Sequence, residues 1–287
     1  MRGFAMGSAD VVPGVSGGTV ALLTGIYPRL VATISAGSRT LGRFLRGDFS
    51  DGWASIRLID WSFLGALGLG AAIAVVTLAR VIEDLLASQP TRMAGLFLGL
   101  IAGTIVIAWR MLQFRSAANF GLAIVVGAAA FALFGLQSST VTNPSLLIYL
   151  GAGAVAICAF ILPGISGSFL LLSIGMYQAV LGVVNDRSMA EVGVFALGAI
   201  IGLAVFSRVL DRLLERHFDP VLAVLIGLMI GSFRILWPWP NGLGDENGVG
   251  ATALGAPGGD VVWPICLAIG AAVMVVGVSR WAEQPAD

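Results

Sequence analysis

Lysine is absent from this chain. All 16 basic residues are arginine, and 16 acids balance them to a formal charge of zero. The missing lysine reads as a trait of genome base composition. The zero balance leaves no basic field to draw in nucleic acid, so no nucleic-acid partner is expected. Charge of either sign is scarce, at 11% of residues against about 25% in soluble proteins. Histidine occurs once, as His217, in a polar stretch beside Arg216 and Asp219 that reads as a solvated loop. The two cysteines, Cys158 and Cys266, lie in apolar segments without metal-ligand spacing and are expected as buried thiols. No metal cluster, no cofactor motif and no nucleophile paired with a base is visible, so no catalytic residue is assigned.

Apolar residues are abundant instead. They form 57% of the chain, and the mean hydropathy is +0.95. A soluble fold of this composition would lack polar surface to cover itself, whereas lipid can face apolar side chains. The fold class expected is an all-α polytopic membrane protein. The N-terminus shows no signal-peptide pattern, because Gly, Ser and Asp interrupt its apolar run. Insertion is expected to rely on the spans themselves.

A helical span needs about 20 mostly apolar residues. Six segments qualify: 61–82, 92–112, 118–137, 190–210, 219–237 and 261–281. Two further apolar regions, 1–36 and 145–184, are broken at Pro13-Gly14 and Pro163-Gly164. Only twelve residues precede Pro13, about 18 Å of helix, which is too short to cross. Both regions are therefore expected to be re-entrant hairpins of two half-length helices. Residues 37–60 combine Arg39, Arg43, Arg46 and Arg57 with Phe44, Phe49 and Trp53, a pattern for a helix lying on the membrane surface. Residues 238–260 are rich in Gly and Pro, carry three acids and no arginine, and read as an external loop. If each hairpin returns to its own face, Arg80, Arg92, Arg187 and Arg234 fall on one side and the other twelve arginines on the opposite side. The positive-inside rule makes the richer face cytoplasmic and places both termini there, in the plasma membrane.

The chain repeats itself. Residues 10–27 align with 160–177 at a constant offset of 150, with seven of 18 positions identical, including Gly25/Gly175 and Tyr27/Tyr177. Residues 69–104 align with 197–232 at an offset of 128, with 11 identities in 36. The difference of 22 residues matches the surface segment present only in the first half. The expected organisation is repeat 1 over 1–144 (hairpin, surface segment, three spans) and repeat 2 over 145–287 (hairpin, three spans). Three spans per repeat is odd, so the second copy is expected to be inverted. Paired Gly/Pro-interrupted segments in inverted halves point to a transporter's binding site.

Proline and glycine turn the chain, and Ser16-Gly17-Gly18-Thr19 then opens a helix whose free N–H groups suit a phosphate or carboxylate. Ser166-Gly167-Ser168 repeats this from the other half. The competing reading of both motifs is a tight packing turn. Arg80 with Glu83 and Arg208 with Asp211 recur at i,i+3, where the side chains of each pair can touch. The arginines are candidates for an anionic headgroup or, equally, interfacial residues snorkelling to water. Asp10, an acid beside the first break, is a candidate coupling site, with Glu83 and Asp211 as weaker ones. Its plainer alternatives are a helix cap or an arginine partner.

Gly7-Ser-Ala-Asp-Val-Val-Pro-Gly-Val-Ser-Gly-Gly-Thr19, continuing to Gly25-Ile-Tyr27, resembles the signature of the PopT family of bacterial and archaeal membrane proteins. Leu162-Pro-Gly-Ile-Ser-Gly-Ser168 with Gly175-Met-Tyr177 matches as well. The resemblance covers nearly the whole chain. It implies a flippase that recycles undecaprenyl phosphate, a polyprenyl phosphate lipid, from the outer to the inner leaflet for cell-wall synthesis. Without lysine, basic headgroup contacts here must come from arginine. A transporter of a small soluble anion, an intramembrane lipid-phosphate enzyme and a non-transporting scaffold remain as alternatives.

Overall fold

The computed structural model describes residues 1–10, 16–136, 141–240 and 254–282. It is all-helical: α1 (Arg2–Asp10), α2 (Gly17–Leu23), α3 (Tyr27–Leu45), α4 (Phe49–Ile56), α5 (Trp61–Ser88), α6 (Pro90–Met111), α7 (Ala117–Leu133), α8 (Leu146–Ile161), α9 (Gly167–Ser173), α10 (Tyr177–Asn185), α11 (Met189–Arg216), α12 (Phe218–Gly231) and α13 (Val262–Ala282). A short 3₁₀ turn, Ser232–Arg234, extends α12.

Local chemistry sets the ends. Ser16, Asp60 and Ser116 each accept a first-turn N–H at the start of α2, α5 and α7. Pro28 and Pro90 occupy opening positions of α3 and α6, where a missing N–H costs nothing. α2 and α9 stop at the same device. Gly25 (φ +69°) and Gly175 (φ +73°) take the left-handed conformation, and Ile26 and Met176 donate back to Ala21 and Leu171.

The helix boundaries keep the two sequence offsets. α2 and α9 are seven residues each, starting at Gly17 and Gly167. α5 and α11 are 28 residues each, starting at Trp61 and Met189. The packing recurs as well: α1 lies on α5 as α8 lies on α11, and α6 lies on α13 as α12 lies on α7. Glycines four apart make these four approaches possible. A Cβ on Gly3 or Gly7 would stand 2.2 or 2.5 Å from a backbone carbonyl oxygen of α5, and one on Gly198 or Gly202 would stand 2.0 or 2.6 Å from one of α8. Gly95 and Gly99 meet α13 in the same way. Lipid offers no hydrophobic drive between helices, so such close backbone contact supplies the attraction. α12 runs through the centre, with Leu222, Ala223, Leu225, Ile226 and Met229 all buried.

α3 continues unbroken from Tyr27 to Leu45, across the expected boundary at residue 36, so the 37–60 segment consists of its last turns and α4. All six expected spans coincide with helices, and among the described residues α5, α6 and α11 are individually long and apolar enough to cross. α12, at 14 residues, is about 21 Å long. α9 and α10 pass that test only as a pair, bent by 115°. The cysteines are not both buried: Cys158 is half-buried and Cys266 exposed. His217 is exposed at the turn between α11 and α12. Most of the 238–260 loop, residues 241–253, lies outside the described residues.

Candidate functional site

The start of α2 and the second Pro-Gly turn, far apart in sequence, meet in space. Ser16, buried at the start of α2, donates its hydroxyl to the Phe160 carbonyl at 3.2 Å and accepts from Gly18 N–H at 3.1 Å. Thr19 is 3% exposed, and its hydroxyl oxygen accepts the Gly164 N–H at 2.9 Å. A Cβ on Gly18 would stand 2.4 Å from the Ile161 carbonyl oxygen, so only glycine fits there. Gly164 (φ +80°) turns the chain directly against Met229 of α12. Pro163 is fully buried. Pro13 and Gly14 lie outside the described residues.

The two helix ends differ. At α2 every first-turn donor is taken. Gly17 N–H donates to the Asp10 carboxylate at 2.5 Å, Gly18 N–H to Ser16, and Thr19 N–H to the Ser16 carbonyl. Asp10 is the last residue of α1, where the helix dipole disfavours a carboxylate, but it faces the start of α2, where the dipole favours one. A carboxylate of the chain thus sits where an external anion was expected. At α9 the Ser166 and Ser168 hydroxyls lie 2.7 Å apart, Ser166 makes no capping bond, and Ser168 is exposed. Phe160, at Asp10's equivalent position, carries no charge. One end is closed by a carboxylate and the other presents two hydroxyls.

Gly17 and Gly167 stand in the two helix-opening motifs expected to bind an anion. A Cβ on Gly17 would strike the Asp10 carboxylate at 2.6 Å, and one on Gly167 the Ala156 carbonyl oxygen at 2.8 Å. Both are packing positions in this conformation.

The arginines are not brought to the junction as a pair. Arg80 is exposed on α5, and the side chain of Glu83 lies outside the described residues. Arg208 reaches from α11 to α3, donating to the Ser38 hydroxyl at 2.7 Å and to the Ser38 carbonyl. Asp211 is buried and pairs with Arg39 at 3.1 Å, not with Arg208 three residues before it. Arg39 also donates to Ser35. The sequence reading missed Arg39 and Ser38, because nothing local links position 39 to position 211.

Beside Ser166 runs an apolar groove of about 370 Å³ between α8, α9 and α11, lined by Cys158, Leu162, Ile165, Leu170 and Phe206 among others. Among the described residues no group of three or more His, Cys, Asp or Glu could hold a metal ion.

Residues 6–248 match the family described as undecaprenyl phosphate translocase-like. A polyprenyl-phosphate transporter of Vibrio cholerae is 37% identical over 246 residues, covering 85% of this chain and 78% of that protein. A polyprenyl-phosphate transporter of Staphylococcus aureus is 27% identical over 255 residues, covering 83% and 85%. No solved structure matches. Both relatives are named transporters and the family translocase-like, which are not descriptions of enzymes. The chain belongs to the undecaprenyl phosphate translocase-like family.

Proposed function

We propose that this family member carries undecaprenyl phosphate from the outer to the inner leaflet of the plasma membrane, through two inverted repeats with cytoplasmic termini, for cell-envelope synthesis. The observation that carries the reading is the junction itself. The start of α2 touches the end of α8 and the turn after Pro163 through Ser16, Thr19 and Gly164, and Ile165 and Leu170, on either side of the Ser166–Ser168 pair, line an apolar groove. A phosphate needs donors and a polyprenyl tail needs apolar wall, and both lie side by side. A small soluble anion would have no use for the groove. The reciprocal packing of α6 on α13 and α12 on α7 supports an inverted duplication, which offers two mirror-related arrangements. The 115° bend between α9 and α10, near Gly175 and not at the Pro163-Gly164 break where the hairpin was expected to turn, is compatible with a segment that returns to its own face.

Asp10 gives the exchange its chemistry. Its carboxylate holds the α2 end. An arriving phosphate replaces it, and the released carboxylate takes a proton. Inward movement of each negative charge against a negative interior costs about 2.3 kcal/mol per 100 mV. A proton carried with the lipid offsets part of that cost.

The test is leaflet-resolved translocation of undecaprenyl phosphate in proteoliposomes, with a soluble phosphate monoester as the comparison. The wild type is expected to move the lipid, and to move it faster with the receiving compartment alkaline. Asp10→Asn is expected to keep lipid binding and lose that stimulation. Ser166→Ala and Ser168→Ala should each weaken binding by about 1 kcal/mol. Equal rates with and without pH and voltage gradients would reduce the protein to a passive scramblase. Transport of the soluble monoester in place of the lipid would reject the lipid reading.

A further inference from the structure

A second groove, of about 440 Å³, lies between α6, α7 and α12, and none of its lining residues belongs to either motif. Its wall is apolar: Trp109, Phe120, Ile124, Ile226 and Ile230. Trp109 and Phe120 meet edge-to-face at 5.8 Å. Two cations also line it, Arg110 from the last turn of α6 and Arg115 from the turn before α7. Both are exposed, and neither is in an ion pair among the described residues. Arg115 donates to the Arg110 carbonyl at 3.4 Å, which keeps the two together.

The turn that carries Arg115 is a built structure. Asp219, buried in the first turn of α12, accepts from Gln113 N–H at 2.9 Å and from Phe114 N–H at 2.7 Å. Asn119 donates its side-chain amide to the Phe114 carbonyl at 2.9 Å. The one acid at this turn therefore has both oxygens on backbone donors. At the offset of 128, repeat 2 has Trp237 for Trp109 but Pro238 for Arg110. The aromatic recurs and the cation does not.

We infer that this groove binds an anionic glycerophospholipid of the surrounding bilayer, its phosphate on Arg110 and Arg115 and an acyl chain along Trp109, Ile124 and Ile230. A basic pocket between membrane helices is suited to an anionic headgroup. The groove opens on the outer surface of the bundle, where Phe120 is 56% and Ile124 48% exposed. Bulk phospholipid reaches it there directly. This inference does not depend on which lipid the motif junction transports.

Trp109 is the reporter. The protein is reconstituted in phosphatidylcholine vesicles containing phosphatidylglycerol, with brominated acyl chains on one lipid or the other. The Trp109 signal is the difference between the wild type and Trp109→Phe. Brominated phosphatidylglycerol should quench it at a mole fraction on the order of tenfold lower than brominated phosphatidylcholine. Arg110→Gln with Arg115→Gln should erase the preference, and lysine at both positions should restore it. Arg212→Gln, at the same rich end but outside the groove, should leave it intact. Equal quenching by the two lipids would overturn the inference, as would a preference that survives the double Gln variant. Displacement of phosphatidylglycerol by an equal mole fraction of undecaprenyl phosphate would also overturn it, making the groove part of the transport path.

Discussion

Thr19→Val tests whether the two motifs are joined as described. Valine keeps the branched shape in a site that is 3% exposed, so little packing volume is lost. What disappears is the acceptor for Gly164 N–H, now at 2.9 Å. The donor is buried in the turn after Pro163 and cannot turn to water. A buried donor left without a partner costs about 1–3 kcal/mol. Measured interhelical hydrogen bonds in membrane proteins average only about 0.6 kcal/mol and reach about 1.7, because the unfolded chain in a membrane also finds partners. The expected loss is therefore about 1–2 kcal/mol. Thr19→Ser keeps the oxygen and should recover most of it. Ser16→Ala removes an N-cap, a loss of about 1 kcal/mol, together with the bond to Phe160. Both contacts fasten the same two segments, so the double variant should lose less than the sum. Reversible unfolding in mixed micelles measures all four proteins. If Thr19→Val and Thr19→Ser are equally stable, or if the Thr19 and Ser16 losses add, the motifs are not coupled through these hydroxyls.

Removing Arg39 should cost more than neutralising its partner, because Arg39→Gln leaves the buried Asp211 carboxylate uncompensated while Asp211→Asn does not; the same unfolding assay ranks them, and the reverse order would contradict the pairing. Arg29, hydrogen-bonded to the exposed Asp60 at the start of α5, holds that carboxyl below its usual range. Its contribution is present above the ordinary aspartate pKa and lost as pH falls through the lowered one, so any stability gap between wild type and Asp60→Asn should close only on strong acidification. A gap that closes between pH 6 and 8, within about the histidine range, would assign it to another group. A cysteine at Asn247, introduced after Cys266 is replaced, should react with an impermeant thiol reagent applied outside intact cells. Labelling only after permeabilisation would reverse the orientation.

Composition alone required a bilayer, since so apolar a chain has nothing else to face. The spacing of apolar runs placed the helices, because helix length is a local property, and α2/α9 and α5/α11 start at the two sequence offsets. Gly25 and Gly175 mark the same turn in either description. Contact partners were decided elsewhere. The i,i+3 pattern suggested that Arg208 pairs with Asp211, but α3 packs on α11 and offers Ser38 and Arg39 at closer reach. Both motifs had the look of open anion sites, yet Asp10 turns back across the break and closes one of them. A side chain bonds to whatever the fold brings within about 3 Å, and sequence order does not record which distant helix that is.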